Sequence, residues 1–206
     1  MKINKETTIR PKWSEIGRKF NPSTFARDEL NMLKTKPFQG LKVYFAASIM
    51  GGPEPDIELP WKIVRYVIDN GGDVLTEHVG ARNKEERYTI FKRRLGYIPY
   101  ESPLAPVVIR SLDMKWLSEA SHMIALVDTP SHGVGMELQM AMLKPSLGFN
   151  VSPILCLRRS GTLDNLSLLI RGVTKKECPH FFIHSYSSFS DARLHVRAFL
   201  TATYSS

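Results

Sequence analysis

Short apolar, β-rich segments alternate between residues 41 and 200 with stretches in which apolar side chains recur at helical spacing. The predicted strands are 41–48, 73–76, 122–127, 153–157 and 180–184, and the predicted helices are 59–70, 108–120, 135–143, 163–170 and 189–200. Such an alternation is typical of a parallel sheet with helices on both faces. The sequence therefore predicts an α/β fold, a five-stranded parallel sheet sandwiched by helices in a Rossmann-like or flavodoxin-like arrangement. In such sheets ligands bind beyond the carboxyl ends of the strands.

Two segments do not follow this alternation. Residues 1–40 are mostly polar, and they are predicted to form an N-terminal extension that ends in a linker at 34–40. Residues 79 to about 107 are polar, basic and proline-containing, without a clear period. They are predicted to be an insertion after the second strand, an excursion that could act as a lid, within a domain of residues 41–206.

Composition excludes several classes of protein. The chain has 206 residues and a net charge of +8, but its basic residues occur in short groups, of which Lys92–Arg94 is the densest. Without zinc-finger spacing or an RNA-binding aromatic signature, nucleic acid is an unlikely partner. No apolar run approaches the roughly 20 residues that span a bilayer, so no membrane association is expected. Cys156 and Cys178 lie too far apart for a CxxC motif, which favours a reducing compartment, the cytoplasm or also the nucleus.

The chain lacks the motifs of several enzyme classes. None of the six histidines pairs at i, i+4 with a Glu, so a metal site is not expected. The G-x-S-x-G nucleophile elbow, the GK[ST] ending of a P-loop and the third glycine of a dinucleotide fingerprint are also missing. We therefore expect no metal and no cofactor.

Two loops that follow predicted strands carry candidate functional residues. The loop 128–138 opens a helix, and it holds Gly133, Gly135 and, in the first turn of that helix, Glu137. A helix N-terminus favours an anion, although a lone Glu there can also simply complement the helix dipole. The loop 46–52 offers the Ser48 hydroxyl and glycine N–H groups, but it is equally compatible with a plain strand-to-helix turn.

Two further residues are candidates on weaker grounds. Asp113 lies at the edge of an apolar helical stripe, where a solvated carboxylate is the ordinary alternative. Tyr44 lies in the middle of the first strand, where a core tyrosine is the ordinary alternative, although a buried hydroxyl then needs a partner.

Taken together and in order, several segments resemble the 2′-deoxynucleoside 5′-phosphate N-hydrolases, which are related to the nucleoside 2-deoxyribosyltransferases. The matching segments are 43–52, 75–79, 113–117, 130–138, 154–157 and 166–172. The resemblance covers roughly residues 41–200 apart from the insertion. It implies a homodimer or larger homo-oligomer that hydrolyses the N-glycosidic bond of a nucleoside 5′-monophosphate, most readily a 2′-deoxynucleotide.

The resemblance also implies roles for individual residues. Glu137 falls on the nucleophilic carboxylate, and Asp113 on the aspartate that assists departure of the base. Tyr44 falls on the tyrosine beside the nucleophile that helps to prefer deoxyribose. The implied substrate-binding positions, on the phosphate loops and near them, are Ser48, Ile49, Gly52, Ser131, Gly133, Ser167 and Leu169. Of these, Ser167 is implied to reach the phosphate in the neighbouring subunit's site.

One contrast within the resemblance favours a phosphorylated substrate. Transferases that act on free nucleosides carry Asp at the position of Ser131 and Asn at the position of Ser167. A carboxylate would repel a phosphate, whereas two hydroxyls can donate hydrogen bonds to it. Met50 stands where relatives often have Arg, and Leu169 stands where they have Met.

Other functions remain open at this level. The chain could be a deoxyribosyltransferase, a ribonucleotide N-glycosidase of the CMP type, or a nucleotide-binding module without catalysis. Tyr44 argues against the ribonucleotide enzyme, since ribo-specific relatives can carry Phe there. The insertion is predicted to cover the base or to extend a dimer contact.

Overall fold

A computed structural model describes residues 36–49, 58–161 and 166–204. The strands are β1 (Lys42–Ala46), β2 (Asp73–Val74), β3 (His122–Leu126), β4 (Ile154–Arg159) and β5 (Phe181–Tyr186). The helices are α1 (Glu58–Asp69), α2 (Lys84–Leu95), α3 (Ala105–Glu119), α4 (His132–Leu143), α5 (Leu168–Arg171) and α6 (Phe189–Thr201). Within these ranges, no helix is long and apolar enough to cross a membrane.

The five strands form one sheet in the order β2-β1-β3-β4-β5, and all neighbours pair in parallel. This confirms the predicted sheet. The order is that of the flavodoxin-like doubly wound fold, in which the chain changes direction between β1 and β3. In this fold a crevice lies at the carboxyl ends of the two strands at the change of direction, here β1 and β3. Residues 47–49 follow β1 at this point, and loop 127–131 follows β3.

The two faces of the sheet carry separate cores. Val43 and Phe45 of β1 belong to the core that contains α1 and α6 side chains. Tyr44 and Ala46 belong to the other core, with side chains from α2, α3 and α4. Because successive side chains of a strand point to opposite faces, the register of β1 directs Tyr44 toward the helices of the second face.

One edge strand of the sheet is short, and at the other edge a lysine engages a backbone carbonyl. Strand β2 has two residues instead of the predicted four, because the Thr76 hydroxyl replaces the next backbone pairing. It accepts a hydrogen bond from Phe45 N (2.8 Å) and donates one to Phe45 O (2.6 Å). At the opposite edge, Lys175 Nζ donates to the carbonyl of Phe181 in β5 (2.6 Å).

Residues 79–107, predicted to be an insertion without a clear period, contain a regular helix, which the sequence analysis did not predict. Helix α2 begins after Asn83, whose side chain accepts from Glu86 N (2.8 Å), and it ends at Gly96 in the left-handed conformation (φ 81°). Phe91 of this helix is buried in the second core. The helix packs on the domain through few apolar residues, which explains why its sequence shows no clear period.

The predicted linker is also wrong for the part that the structure describes. Phe38 is fully buried and packs edge-on against Tyr66, with ring centroids 5.6 Å apart. Its N–H donates to the carbonyl of Asn70 (3.0 Å). Residues 36–40 therefore belong to the folded domain, while the rest of the predicted extension, 1–35, lies outside the described residues.

Candidate active site

Tyr44 and Glu137 are hydrogen-bonded to each other. The Tyr44 hydroxyl donates to Oε1 of Glu137 at 3.0 Å, and Tyr44 is 1% exposed. This bond supplies the partner that a buried tyrosine hydroxyl needs. The ordinary reading of Tyr44 as a core residue is thus incomplete, because its ring fills the core while its hydroxyl reaches a carboxylate.

Glu137 lies in the second turn of α4, and its predicted place in the first turn is wrong. The helix begins at His132 rather than Gly135, because the Ser131 side chain caps it by accepting from Val134 N. The field of a helix dipole falls off within the first turn, so Glu137 is poorly placed to serve only as its complement. Burial raises the pKa of Glu137, while the Tyr44 hydrogen bond acts in the opposite direction.

Asp113 on α3 belongs to the same electrostatic cluster. Burial raises the pKa of Asp113 to about 7, and the negative charge of Glu137 adds to this effect. Burial, then Glu137, then Asp113 raise the pKa of Tyr44 above its ordinary value. Asp113 is therefore not a freely solvated carboxylate.

The surroundings of the two carboxyl groups differ. Asp113 can hold a proton near neutral pH, whereas Glu137 accepts a hydrogen bond from Tyr44 that favours its ionised form. Two carboxyl groups whose environments separate their proton affinities are suited to acid and nucleophile roles. The arrangement can therefore donate a proton to a leaving group and attack an electrophilic carbon.

The residues predicted from the phosphate-binding loops border the crevice in part. Ser48 follows β1 and is partly buried, and Ile49 beside it is 40% exposed. Gly52 and Met50 lie outside the described residues. Ser131 and Gly133 precede Glu137 on the same loop and helix start. Because the Ser131 oxygen accepts from Val134 N, its hydroxyl hydrogen is available to donate to a ligand.

Ser167 and Leu169 lie apart from the Tyr44–Glu137 pair. Ser167 caps α5 by accepting from Leu169 N (3.3 Å), and the Leu169 side chain is 87% exposed. Together with Ser131 they line an open, mainly apolar cavity of about 900 Å³ between α3, α4 and α5. Neither Tyr44 nor Glu137 lines this cavity.

Sequence reasoning missed the residue that anchors the loop before α4. Asp128, just after β3, accepts hydrogen bonds from the Tyr186 hydroxyl and from the N–H of Arg159. These contacts tie the start of loop 128–131 to the ends of β4 and β5. No local pattern marks them, since the partners are 31 and 58 residues away along the chain.

Among the described residues, no three His, Cys, Asp or Glu side chains are grouped so that they could hold a metal ion. The groups that the structure brings together at this place are the two carboxyls and the tyrosine hydroxyl. Glycosyl hydrolases use a pair of carboxyl groups with different proton affinities. Here such a pair lies toward the end of a parallel sheet where ligands bind.

Comparison with known proteins identifies the group of hydrolases. A Trichoplax adhaerens protein named as a 2′-deoxynucleoside 5′-phosphate N-hydrolase is 33% identical over 144 residues, which cover 70% of this chain and 83% of that one. The 5-hydroxymethyl-dUMP N-hydrolase of Tetraodon nigroviridis is 35% identical over 133 residues, 64% of this chain and 80% of its own. The human 5-hydroxymethyl-dUMP N-hydrolase is 38% identical over 130 residues, covering 63% and 64%. The chain belongs to the 2′-deoxynucleoside 5′-phosphate N-hydrolase family.

Comparisons with family models and with solved structures give two further results. No family model matches the chain. A solved structure of a CMP N-glycosidase from Clostridium botulinum aligns with a TM-score of 0.49 and 16% identity, over 77% of this chain and 98% of that one.

Proposed function

We propose that the protein hydrolyses the N-glycosidic bond of 2′-deoxynucleoside 5′-monophosphates, releasing the free base and deoxyribose 5-phosphate. The observation that carries the proposal is the cluster of Glu137, hydrogen-bonded to Tyr44, and Asp113, whose pKa is raised to about 7. The names of the relatives support the substrate class, since they are N-hydrolases of deoxynucleoside 5′-phosphates.

In the first step Glu137 attacks C1′ of the sugar. The bond from C1′ to the base nitrogen breaks, and a bond from C1′ to a Glu137 oxygen forms. The base would leave poorly as an anion, so Asp113 transfers its proton to the base, directly or through a water. Tyr44 orients the attacking carboxylate, and the absence of a 2′-hydroxyl eases the build-up of positive charge on the sugar.

In the second step water breaks the glycosyl–enzyme bond. Asp113, now ionised, removes a proton from the water, whose oxygen bonds to C1′ as the Glu137 oxygen departs. Asp113 is thereby protonated again and Glu137 is again a carboxylate. The atoms balance to one nucleotide and one water consumed, with one base and one sugar phosphate released.

The phosphate is held by the loops after β1 and β3. The hydroxyls of Ser48 and Ser131 donate hydrogen bonds to it, and the N–H groups at the start of α4, around Gly133, face the same anion. Ile49 belongs to the same rim of the site, and the phosphate-loop role of Gly52, which lies outside the described residues, stays a prediction from the resemblance. Fixing the phosphate sets the distance between C1′ and Glu137, which makes the attack effectively intramolecular.

A second copy of the chain completes the site. The cavity beside Ser131 is mainly apolar and open, and it is bordered by exposed side chains such as Met136 (56%) and Leu169 (87%). Exposed apolar surface of this kind is typical of protein contacts. In the dimer Ser167 donates its hydroxyl to the phosphate bound by the neighbouring subunit.

The test is base release from a panel of 5′-monophosphates, deoxy and ribo, with purine, pyrimidine and 5-modified pyrimidine bases, each with and without added free base. Glu137→Gln keeps the size of the side chain and should lower turnover roughly a thousandfold or more. Glu119→Gln, at an exposed carboxylate of α3, is the matched control. A near-normal rate for Glu137→Gln would refute the nucleophile.

The alternatives predict different outcomes of the same panel. Product that forms only when free base is added would identify a deoxyribosyltransferase. Release from ribonucleotides alone would identify a ribonucleotide N-glycosidase and contradict the role given to Tyr44. Binding without release of base, unaffected by Glu137→Gln, would identify a nucleotide-binding module.

A further inference from the structure

The segment between β2 and α3 packs beside Asp113. Tyr100 lies in the single turn Pro99–Glu101, which contacts α3, the helix that carries Asp113. The Tyr100 ring stacks on Tyr88 of α2, with centroids 6.2 Å apart and an interplanar angle of 20°. It also meets Phe91 edge-on at 5.8 Å. Three aromatic side chains of the insertion, Tyr88, Phe91 and Tyr100, therefore form a wall next to Asp113, the proposed acid.

Arg87 lies on the inward face of the same helix. It precedes the buried Phe91 by four residues, and residues four apart in a helix share a face. Its Nε is buried and has no hydrogen-bond partner among the described residues. A buried donor without a partner is unfavourable, so its presence calls for an acceptor that a ligand can supply.

The charge of Arg87 affects the pKa values of two residues at this wall, Tyr100 and His78. Tyr100 is influenced by both Arg87 and Asp113: burial raises the pKa of its hydroxyl, Arg87 lowers it and Asp113 raises it. His78 is held at a pKa of about 3, first by burial and then by the charges of Arg87 and Arg94.

His78 lies between the aromatic wall and α3, the helix that carries Asp113. Its ring lies 4.4 Å from that of Phe91 and 5.6 Å from that of Trp116. Trp116 is one helical turn beyond Asp113 on α3. Arg87 and Asp113 both act electrostatically on Tyr100, so both lie within electrostatic range of this wall, and the departing base must lie near Asp113 if Asp113 protonates it.

We propose that Arg87 is a specificity-determining residue that donates hydrogen bonds to a carbonyl oxygen on the edge of the nucleobase; this inference rests on the proposed function. A guanidinium carries donors and no acceptor. At position 4 of a pyrimidine and position 6 of a purine, uracil-type bases and guanine carry an exocyclic oxygen, whereas cytosine and adenine carry an amino group that would face Arg87 donor to donor. This is the oxygen that Arg87 contacts in the proposal, because O2 is common to uracil and cytosine.

The test compares dUMP, whose base carries an oxygen at position 4, with dCMP, whose base carries an amino group there. Wild-type protein should show the higher kcat/KM for dUMP. Arg87→Gln should lower kcat/KM for dUMP roughly 10- to 100-fold and leave the value for dCMP nearly unchanged. Lys92→Gln, an exposed position on the same helix, removes one positive charge and should keep the wild-type ratio.

Binding to inactive protein separates this inference from the proposed function. In the Glu137→Gln background, the ratio of Kd values for dUMP and dCMP is measured with and without Arg87→Gln, and Arg87→Lys serves as a second variant if the first is unstable. A preference for dUMP that disappears with Arg87→Gln supports the inference even if no nucleotide is hydrolysed. A ratio unaffected by Arg87→Gln, or a wild-type preference for dCMP, overturns it while base release still supports the hydrolase.

Discussion

The Tyr44 hydroxyl donates to Oε1 of Glu137 across 3.0 Å, and this bond joins the middle of strand β1 to the second turn of helix α4. The two residues are 93 positions apart in the sequence. The bond fixes the direction of the carboxylate, and it stabilises the ionised form of Glu137 against the effect of burial. It therefore links the packing of the sheet to the reactivity of Glu137, the proposed nucleophile.

Tyr44→Phe should keep the fold and slow the reaction. The variant retains the buried ring but removes a hydrogen bond to a charged group, which is worth about 1.5–3 kcal/mol. We expect kcat to fall roughly 10- to 100-fold. The preference for deoxynucleotides over ribonucleotides should shrink as well. Steady-state kinetics on both sugar series test this, with Tyr66→Phe on the other face of the sheet as the control. An unchanged sugar preference would contradict the role of Tyr44.

The pH dependence of kcat/KM should report Asp113. Its pKa is raised to about 7 by burial and by Glu137, and the protonated form is the one that donates. The rate should therefore be independent of this group below pH 7 and fall as the pH rises through about 7. On the acid side, the rate should fall as Glu137 becomes protonated.

Asp113→Asn provides the check on that assignment. The variant cannot donate the proton, so kcat should drop by roughly 10²–10⁴-fold and the alkaline limb of the profile should disappear. Rates measured between pH 5 and 9 for both proteins decide the matter. An alkaline limb at the same pH in the variant would assign that titration to another group.

Ser131→Asp should weaken nucleotide binding without harming the helix. Asp caps a helix as well as Ser does, so α4 should keep its start. The new carboxylate would repel the phosphate, and we expect Kd for a deoxynucleoside 5′-monophosphate to rise by roughly 100-fold or more. Calorimetry with the matching nucleoside should show little change. Ser188→Asp, at the cap of α6, is the control, and equal losses for both ligands would refute the phosphate site.

Leu169→Glu should disrupt the assembly. This side chain is 87% exposed beside the apolar cavity, and a charge buried there in a dimer would be unfavourable. We expect a lower molar mass by light scattering, together with a loss of activity because Ser167 no longer reaches the neighbouring site. Leu194→Glu, 60% exposed on α6, should change neither property. A wild-type protein that is monomeric at working concentration would contradict the shared site.

The sheet could be predicted because its strands have an unambiguous signal. All five residues of β3 are buried, and such strands appear in the sequence as continuous apolar runs. Helix α2 was missed because only Ile90 and Phe91 among its residues are buried. The local signals were nevertheless present, since Asn83 and Gly96 are favourable residues for the two ends of a helix.

That the three candidate residues form one cluster could be predicted only through the resemblance, and their catalytic roles stay a prediction. Asp113, Glu137 and Tyr44 are on three different elements, and nothing in their spacing indicates that they meet. Asp128 and Tyr186 were missed because their contact depends on the order of the strands. Arg87 was missed because a basic residue in a basic helix has no distinguishing neighbour in the sequence.

The two edges of the sheet also bear on how copies of the chain can associate. An exposed edge strand offers unpaired N–H and C=O groups to which another molecule can add. Here β2 is only two residues long, and the ammonium group of Lys175 occupies a carbonyl of β5. Short strands and lysines are the devices by which natural sheets resist continuous edge-to-edge growth. In the part of the chain that the structure describes, these two features disfavour association through the strands, and the proposed homo-oligomer would instead use the apolar surface around α5.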